Sequence, residues 1–448
     1  MKQKHLLKEF TGYVSLNVAG MIGLSCYILA DTYFIANRLG ADGLAALNLV
    51  LPLYSLISGM GLMVGIGGAT RFAICQAHGD GGQSDRVFST SAAFGIGVGS
   101  FFLFLGLFAS KFLASALGAS GNILPMAETY LKILMCFAPF FILNNILTAF
   151  VRNDGDPSLA MLGMLIGSFS NVLMDYLFLY PLNLGMAGAA LATAVSPVIG
   201  MLVQSVHILR KKNRFHFRVT GIEPKRLPGI LSLGVSAFVN ELSSGLVLAV
   251  FNLLILGIAG NVGVAAYGIV ANLALVALAV FTGVSQGCQP LISRFYGRGE
   301  EQEIRKIFLY STVLSVVLGA LLALAAYLLN TPLVAAFNSE KNPELARIAS
   351  EGLRIYFPGF LAAGVNVTAA AGLGAMDRAK ESFFIAILRG CVGILFFAVL
   401  LSRIFGMTGI WLSFGVTEAG TLLASWRFVR KATASVHGKP CISQKNAL

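Results

Sequence analysis

Five ionisable side chains stand inside stretches that otherwise read as hydrocarbon: Asp31, Asp175, Glu241, Arg389 and Glu418. A charge in a membrane interior costs about 3 kcal/mol or more, so such residues are functional by default. At a helical rise of 1.5 Å per residue, Asp31 lies about 8 Å below the end of its apolar run and Asp175 about 8–10 Å below the end of its own. Residues four apart share a helix face, so Tyr27 accompanies Asp31 and Asn171 accompanies Asp175. Thr193, on the returning arm of a hairpin around 180–185, reaches a comparable level. Two carboxylates, an amide and two hydroxyls therefore converge. Oxygen ligands suit a small hard cation such as Na⁺. Two neighbouring carboxylates also suit proton exchange, because like charges side by side favour taking up a proton.

The remaining three ionisable residues fall in the second half of the chain. Glu241 lies about 25 Å below the external end of its run, near the middle of a bilayer. An acid at that depth suits attraction of a cationic substrate, and Gln286 and Gln289 of SQGCQP (285–290) add polar contacts. Arg389 precedes the turn at 402–406 and Glu418 follows it, at depths that differ by about 4 Å. Neighbouring antiparallel helices bring the two together, as a structural or a gating pair.

Those residues need a membrane to be unusual, and composition supplies it. Of 448 residues, 56% are hydrophobic and only 12% charged, about half the charged share of a soluble domain. Twelve apolar runs, the first over 10–36 and the last over 407–428, are each long enough to cross a bilayer as helix. The first reads as a span rather than a removable signal. The net charge of +12 could suit nucleic acid, but its placement is topological. Lys2, Lys4, Lys8, Arg210, Lys211, Lys212, Arg214, Arg218, Lys225, Arg226, Arg294, Arg298 and their like fall on one side. The opposite loops hold Arg38, Lys111, Lys341, Arg347 and Arg403. Both termini are thereby expected in the cytoplasm of a multi-pass cell-membrane protein. The six cysteines, Cys26, Cys75, Cys136, Cys288, Cys391 and Cys441, have no paired spacing, so neither a disulfide frame nor a metal site is expected. The five histidines, His437 among them, sit at span ends, loops or termini and form no catalytic set. GMGLMVGIGG (59–68) lies inside an apolar run with no strand before it, which suits close helix packing rather than a nucleotide loop.

The chain is also duplicated. LNLGMAGAALATAVS (182–196) and SRIFGMTGIWLSFGV (402–416) share Gly-Met-x-Gly, and Gly185 and Gly406 stand 221 positions apart. LAALNLV (44–50) and VAAYGIV (264–270) recur at nearly the same offset. The expected fold is all-α and integral to the membrane. It has a six-helix lobe over 1–209, a basic linker over 210–228, a second six-helix lobe over 229–430 and a tail over 431–448. An even number of spans per half makes the halves parallel repeats about an axis along the membrane normal. Two such bundles leave a central cleft, near which Glu241 is expected.

ADTYFIANRLG (30–40), NVLMDYLFLY (171–180), GMAGAALAT (185–193) and the doubled Gly-Met-x-Gly hairpin resemble the multidrug and toxic compound extrusion (MATE) family. That family lies within the multidrug/oligosaccharidyl-lipid/polysaccharide flippase superfamily. The resemblance covers about residues 10–430 and implies two six-helix lobes. It also implies a cation-coupling role for Asp31, Asn171 and Asp175, with Tyr27 and Thr193 beside them, and makes Asn144 and Asn145 weaker candidates for a further amide ligand. Some members bend the first span at a proline, where Leu16 stands here. The expected function is antiport: organic cations leave in exchange for Na⁺ or H⁺, with no other cofactor, in a monomer. A lipid-linked oligosaccharide flippase would favour several basic residues deep in the spans, and Arg389 alone is there. A cation channel would favour a repeated pore ring, and an intramembrane enzyme a convergent catalytic set. Neither pattern is present in the sequence.

Overall fold

The computed structural model describes residues 2–338 and 342–435, all helix and connecting turns. Lys341, Cys441, His437 and the rest of the tail beyond Ser435 lie outside the described residues. The helices are α1 (Lys2–Ala77), α2 (Gly81–Ala116), α3 (Ile123–Cys136), α4 (Ala138–Asn153), α5 (Pro157–Leu179), α6 (Gly185–Leu209) and α7 (Leu227–Gly297). After them come α8 (Glu301–Leu328), α9 (Asn330–Phe337), α10 (Pro343–Tyr356), α11 (Phe360–Ala375), α12 (Ala379–Ile387) and α13 (Gly393–Thr433).

Three of these are too long to be single spans, and each is broken by a glycine in the left-handed region. Gly40 breaks α1 at φ 68°, Gly260 breaks α7 at φ 62° and Gly406 breaks α13 at φ 58°. Only glycine takes that conformation without a Cβ penalty. Gly185 opens α6 at φ 57°, so the Gly-Met-x-Gly motif builds the same hairpin twice. Among the described residues, nine stretches are long and apolar enough to cross a bilayer. Two of them, over 224–297 and 379–433, divide in two at Gly260 and Gly406. The pair α3 and α4, bent by 49° where Pro139 interrupts the amide ladder, makes one further crossing. The total is the twelve spans read from the apolar runs. The chain is an all-helical integral membrane protein. Exposed Phe101, Phe104, Phe108 and Phe112 along α2 are the apolar outer face expected of a helix that meets lipid.

The chain forms two compact units, one over 19–242 and one of 2–18 with 243–435. Their limits fall inside α1 and α7, where glycines let backbones touch. In the first unit, a Cβ on Gly234 would overlap the Met63 carbonyl, and one on Gly67 the Ile230 carbonyl. In the second, Gly283 and Gly287 of α7 lie against the backbones of Val18 and Val14. Arg294 closes that contact with two bonds to Glu9, at 2.7 and 2.8 Å, the bidentate geometry that suits guanidinium and carboxylate. Each unit holds its own apolar core, one including Phe72, Phe150 and Phe215, the other Phe281, Phe360 and Trp411. Gly234→Ala is expected to lower stability by about 1–3 kcal/mol, because the methyl has nowhere to go but into backbone. Thermal unfolding in detergent measures this; an unchanged midpoint would mean that the two helices separate freely.

In the first unit, the acids Asp154, Asp85 and Glu223, the first two buried, gather basic side chains. Asp154, with its side chain fully buried, accepts from the Arg214 backbone N–H and Nε at 2.8 Å each and bonds His207 Nε2 at 3.0 Å. Asp85 holds His216 and Arg218, and Glu223 holds Arg86 and Arg226. The basic stretch after α6 is thus tied to the α2 start and the α4–α5 turn rather than left as a free linker. Cys26, Cys136, Cys288 and Cys391 are free thiols.

Candidate cation-coupling site

Close packing of α5 on α6 creates the first part of the site. Small residues line the contact: the Ser196 hydroxyl donates to the Gly167 carbonyl at 2.8 Å, and Gly163 lies against Gln204. That approach brings the fully buried Asn171 and Asp175 of α5 to Thr193 of α6. With the Asn171 amide oriented to satisfy both its ends, its nitrogen donates to Asp175 Oδ2 at 3.1 Å and its oxygen accepts from the Thr193 backbone N–H at 3.2 Å. The four-residue spacing of Asn171 and Asp175 is what lets one side chain orient the other.

Asp31 of α1 completes the pair. It is buried, and its carboxyl meets that of Asp175 within hydrogen-bonding reach. Neither Asp31 Oδ1 nor Asp175 Oδ1 has a donor. Arg38, the basic residue near this end, donates instead to the Leu179 carbonyl and to Asn183, at 3.2 and 3.0 Å. No ion pair to either aspartate is found among the described residues. Two carboxyl groups in contact repel strongly unless a proton or a cation lies between them, since at 4 Å the interaction is about 4 kcal/mol even at an effective dielectric of 20.

Tyrosines surround the acids. Tyr27, one turn before Asp31, shares a hydrogen bond with Tyr54 at 3.2 Å, and Tyr54 meets the Phe141 ring edge to face at 5.6 Å. Tyr130 of α3 donates to the Thr193 hydroxyl at 3.3 Å and lies within electrostatic reach of Asp31 and Asp175. Tyr54 and Tyr130 are absent from the set read from the sequence. Their one local signal is a phenol within an apolar run, and that signal names no partner. Asn145 is turned elsewhere: its amide donates to the Ser58 carbonyl at 3.4 Å, across from Gly61. Asn144 faces Gly200 of α6.

Glu241 departs from its expected surroundings. The sequence places it in the second half, but its stretch of α7 packs into the unit of residues 19–242. The cause is backbone contact: Gly234 lies on Met63, while Phe238 and Glu241 lie against Gly59. Tyr54 is within electrostatic reach of both Glu241 and Asp31, so three acids belong to one unit. Gln286 and Gln289 belong to the other unit, on the stretch of α7 that also carries Gly283 and Gly287.

The second unit brings Arg389 and Glu418 together, as their depths predict. Arg389 Nη2 donates to Glu418 Oε1 at 2.8 Å, and both side chains are more than nine-tenths buried. Asn366 of α11 donates to Glu418 Oε2 at 2.7 Å, and the Ser425 hydroxyl donates to Asn366 Oδ1 at 2.8 Å. Arg389 stands on a π-helical turn, Leu388–Val392, a widened form of helix that recurs at functional sites.

Known proteins share this arrangement of helices. "Multidrug export protein MepA" of Staphylococcus saprophyticus is 28% identical, over 94% of this chain and 93% of its own length. A crystal structure of MATE in complex with MaL6 superposes with a TM-score of 0.90 at 20% identity, covering 96% of each chain. A MOP superfamily transporter from Pyrococcus furiosus, described by a reversed polarity of its binding pocket, gives 0.88 at 22% identity over 96% of each chain. The MatE family model matches residues 18–177 and 237–423, which hold Asp31, Asn171 and Asp175 as well as Arg389 and Glu418. On that match the chain belongs to the MatE family of membrane transporters and is no enzyme.

Proposed function

We propose that this transporter exports organic cations across the cell membrane in exchange for Na⁺ or H⁺, by alternating access. The observation that carries the proposal is the contact of Asp31 with Asp175, two buried carboxyls with no cationic side chain paired to them among the described residues. Asn171 and Thr193 add oxygens suited to Na⁺, and the same carboxyls suit a proton. A monovalent ion entering there removes the repulsion between the acids. That favours one arrangement of the helices over another, and through it changes substrate affinity. Export of drugs is supported by the likeness to MepA proteins, which are multidrug exporters by name. Glu241 beside the tyrosine-rich stretch of the same unit supplies charge and aromatic faces for a cation.

The basic residues after α6, and those of the 294–306 stretch, face the cytoplasm in this reading, with both termini. The unit works as a monomer. A lipid-linked oligosaccharide flippase would hold a diphosphate with free basic groups, whereas Arg389 is already bonded to Glu418. The test is efflux of a fluorescent organic cation in everted vesicles, with Na⁺ and pH gradients imposed separately. One of the two gradients is expected to drive uptake into the vesicles. A protein that binds the cation but responds to neither gradient is not an antiporter.

A further inference from the structure

The two units treat their buried carboxyls in opposite ways. Asp31 and Asp175 each keep an oxygen without a donor. Glu418 has both oxygens occupied, Oε1 by Arg389 Nη2 at 2.8 Å and Oε2 by Asn366 Nδ2 at 2.7 Å. Its own backbone carbonyl accepts from Asn366 at 2.8 Å, and Asn366 Oδ1 faces Ser425. Tyr356 of α10 lies within electrostatic reach of both charges. Thr417 and Thr421 of the same helix turn their hydroxyls to carbonyls of that helix. Apart from Arg389, no cationic side chain pairs with Glu418 among the described residues.

We infer that Glu418 and Asn366 form a latent site for a monovalent cation or a proton, and that Arg389 is its tethered occupant. The guanidinium supplies from the chain the positive charge that Asp31 and Asp175 must take from solution. A carboxylate as buried as Glu418 does not stay charged alone. With Arg389 neutralised, it takes a proton or draws a cation into the oxygens around it. The π turn serves this arrangement by delivering the arginine. A Cβ at Gly393 would overlap the Leu388 carbonyl, so glycine there lets the widened turn form. In the intact protein the consequence is one ion-responsive carboxyl site fewer than the number of buried acids suggests. This part rests on the antiport reading, whereas the latent site itself does not.

The experiment compares Arg389→Met, Arg389→Gln and Arg389→Met/Glu418→Gln, each also in an Asp175→Asn background, as purified full-length protein. Radioactive sodium binding is measured against choline, and proton uptake is measured by acid titration. Both neutral single variants are expected to gain one bound ion per chain, sodium or proton, also with Asp175→Asn present, and to lose it with Glu418→Gln. The arm that gains binding identifies the ion. Folded single variants that gain neither ion overturn the inference. If the singles unfold in sodium and in acid while the double variant folds, no mobile cation replaces the guanidinium, which overturns it as well. A double variant that also unfolds makes Arg389 a packing residue, and the latent site is then equally refuted. Should Asp175→Asn alone leave ion binding unchanged, the antiport reading fails, and the gain at Glu418 is still decided by its own arms.

Discussion

Replacing Asp175 by asparagine is expected to abolish ion-driven export while leaving the protein inserted and able to bind an organic cation. The exchange keeps size and hydrogen-bonding capacity, and Asn171 and Thr193 remain in place beside it. It removes the second negative charge, so Asp31 no longer faces a like charge and no ion is needed to relieve the repulsion. Coupling energies between two sites are typically 1–3 kcal/mol, so the ion is expected to change substrate affinity about 5–150-fold in the unaltered protein and not at all in Asp175→Asn. Asp31→Asn is expected to behave alike. Glu241→Gln is expected to differ, weakening substrate binding while the response to Na⁺ or acid persists. Equilibrium binding of a fluorescent cation, repeated with Na⁺ added or pH lowered, separates these outcomes. Should Asp175→Asn release substrate with the ion dependence of the unaltered protein, Asp175 is a structural acid.

Asp154→Ala is expected to cost about 2–4 kcal/mol of stability, the range for stripping a buried acid from its partners when one of them stays partly in water. The aspartate is fully buried and bonds His207, itself buried, besides the backbone and guanidinium of Arg214. Its loss leaves the His207 ring and an amide without their acceptor and frees the chain after α6 from the α4–α5 turn. Arg86→Ala provides the comparison. Its bond to Glu223 is half in solvent, so its loss is expected to cost about 1 kcal/mol or less. Thermal unfolding of the two variants in detergent checks the contrast. Equal midpoints for Asp154→Ala and Arg86→Ala would mean that burial of the acid contributes nothing.

Composition, hydropathy and repetition determined by themselves that this is a twelve-span, duplicated membrane protein. Each follows from residues close in the chain: twenty apolar residues span a bilayer wherever they stand, and Gly185 and Gly406 require the same left-handed turn. The depth of a residue in its span is also local arithmetic. Asp31 with Asp175, and Arg389 with Glu418, could therefore be matched before any helix was placed beside another. What surrounds the acids was decided by tertiary structure. Tyr54 and Tyr130 reach the site because α1, α3, α5 and α6 are neighbours, and no periodicity encodes which helices adjoin. Glu241 joins the unit of residues 19–242 because Gly59, Gly67 and Gly234 let α1 and α7 meet backbone to backbone. Asn145 faces Ser58 for a related reason, since Gly61 leaves room for its amide. Which buried acid keeps an unfilled oxygen and which is held by an arginine depends on distances of about 3 Å between side chains far apart in sequence. Only the packed helices set distances of that kind.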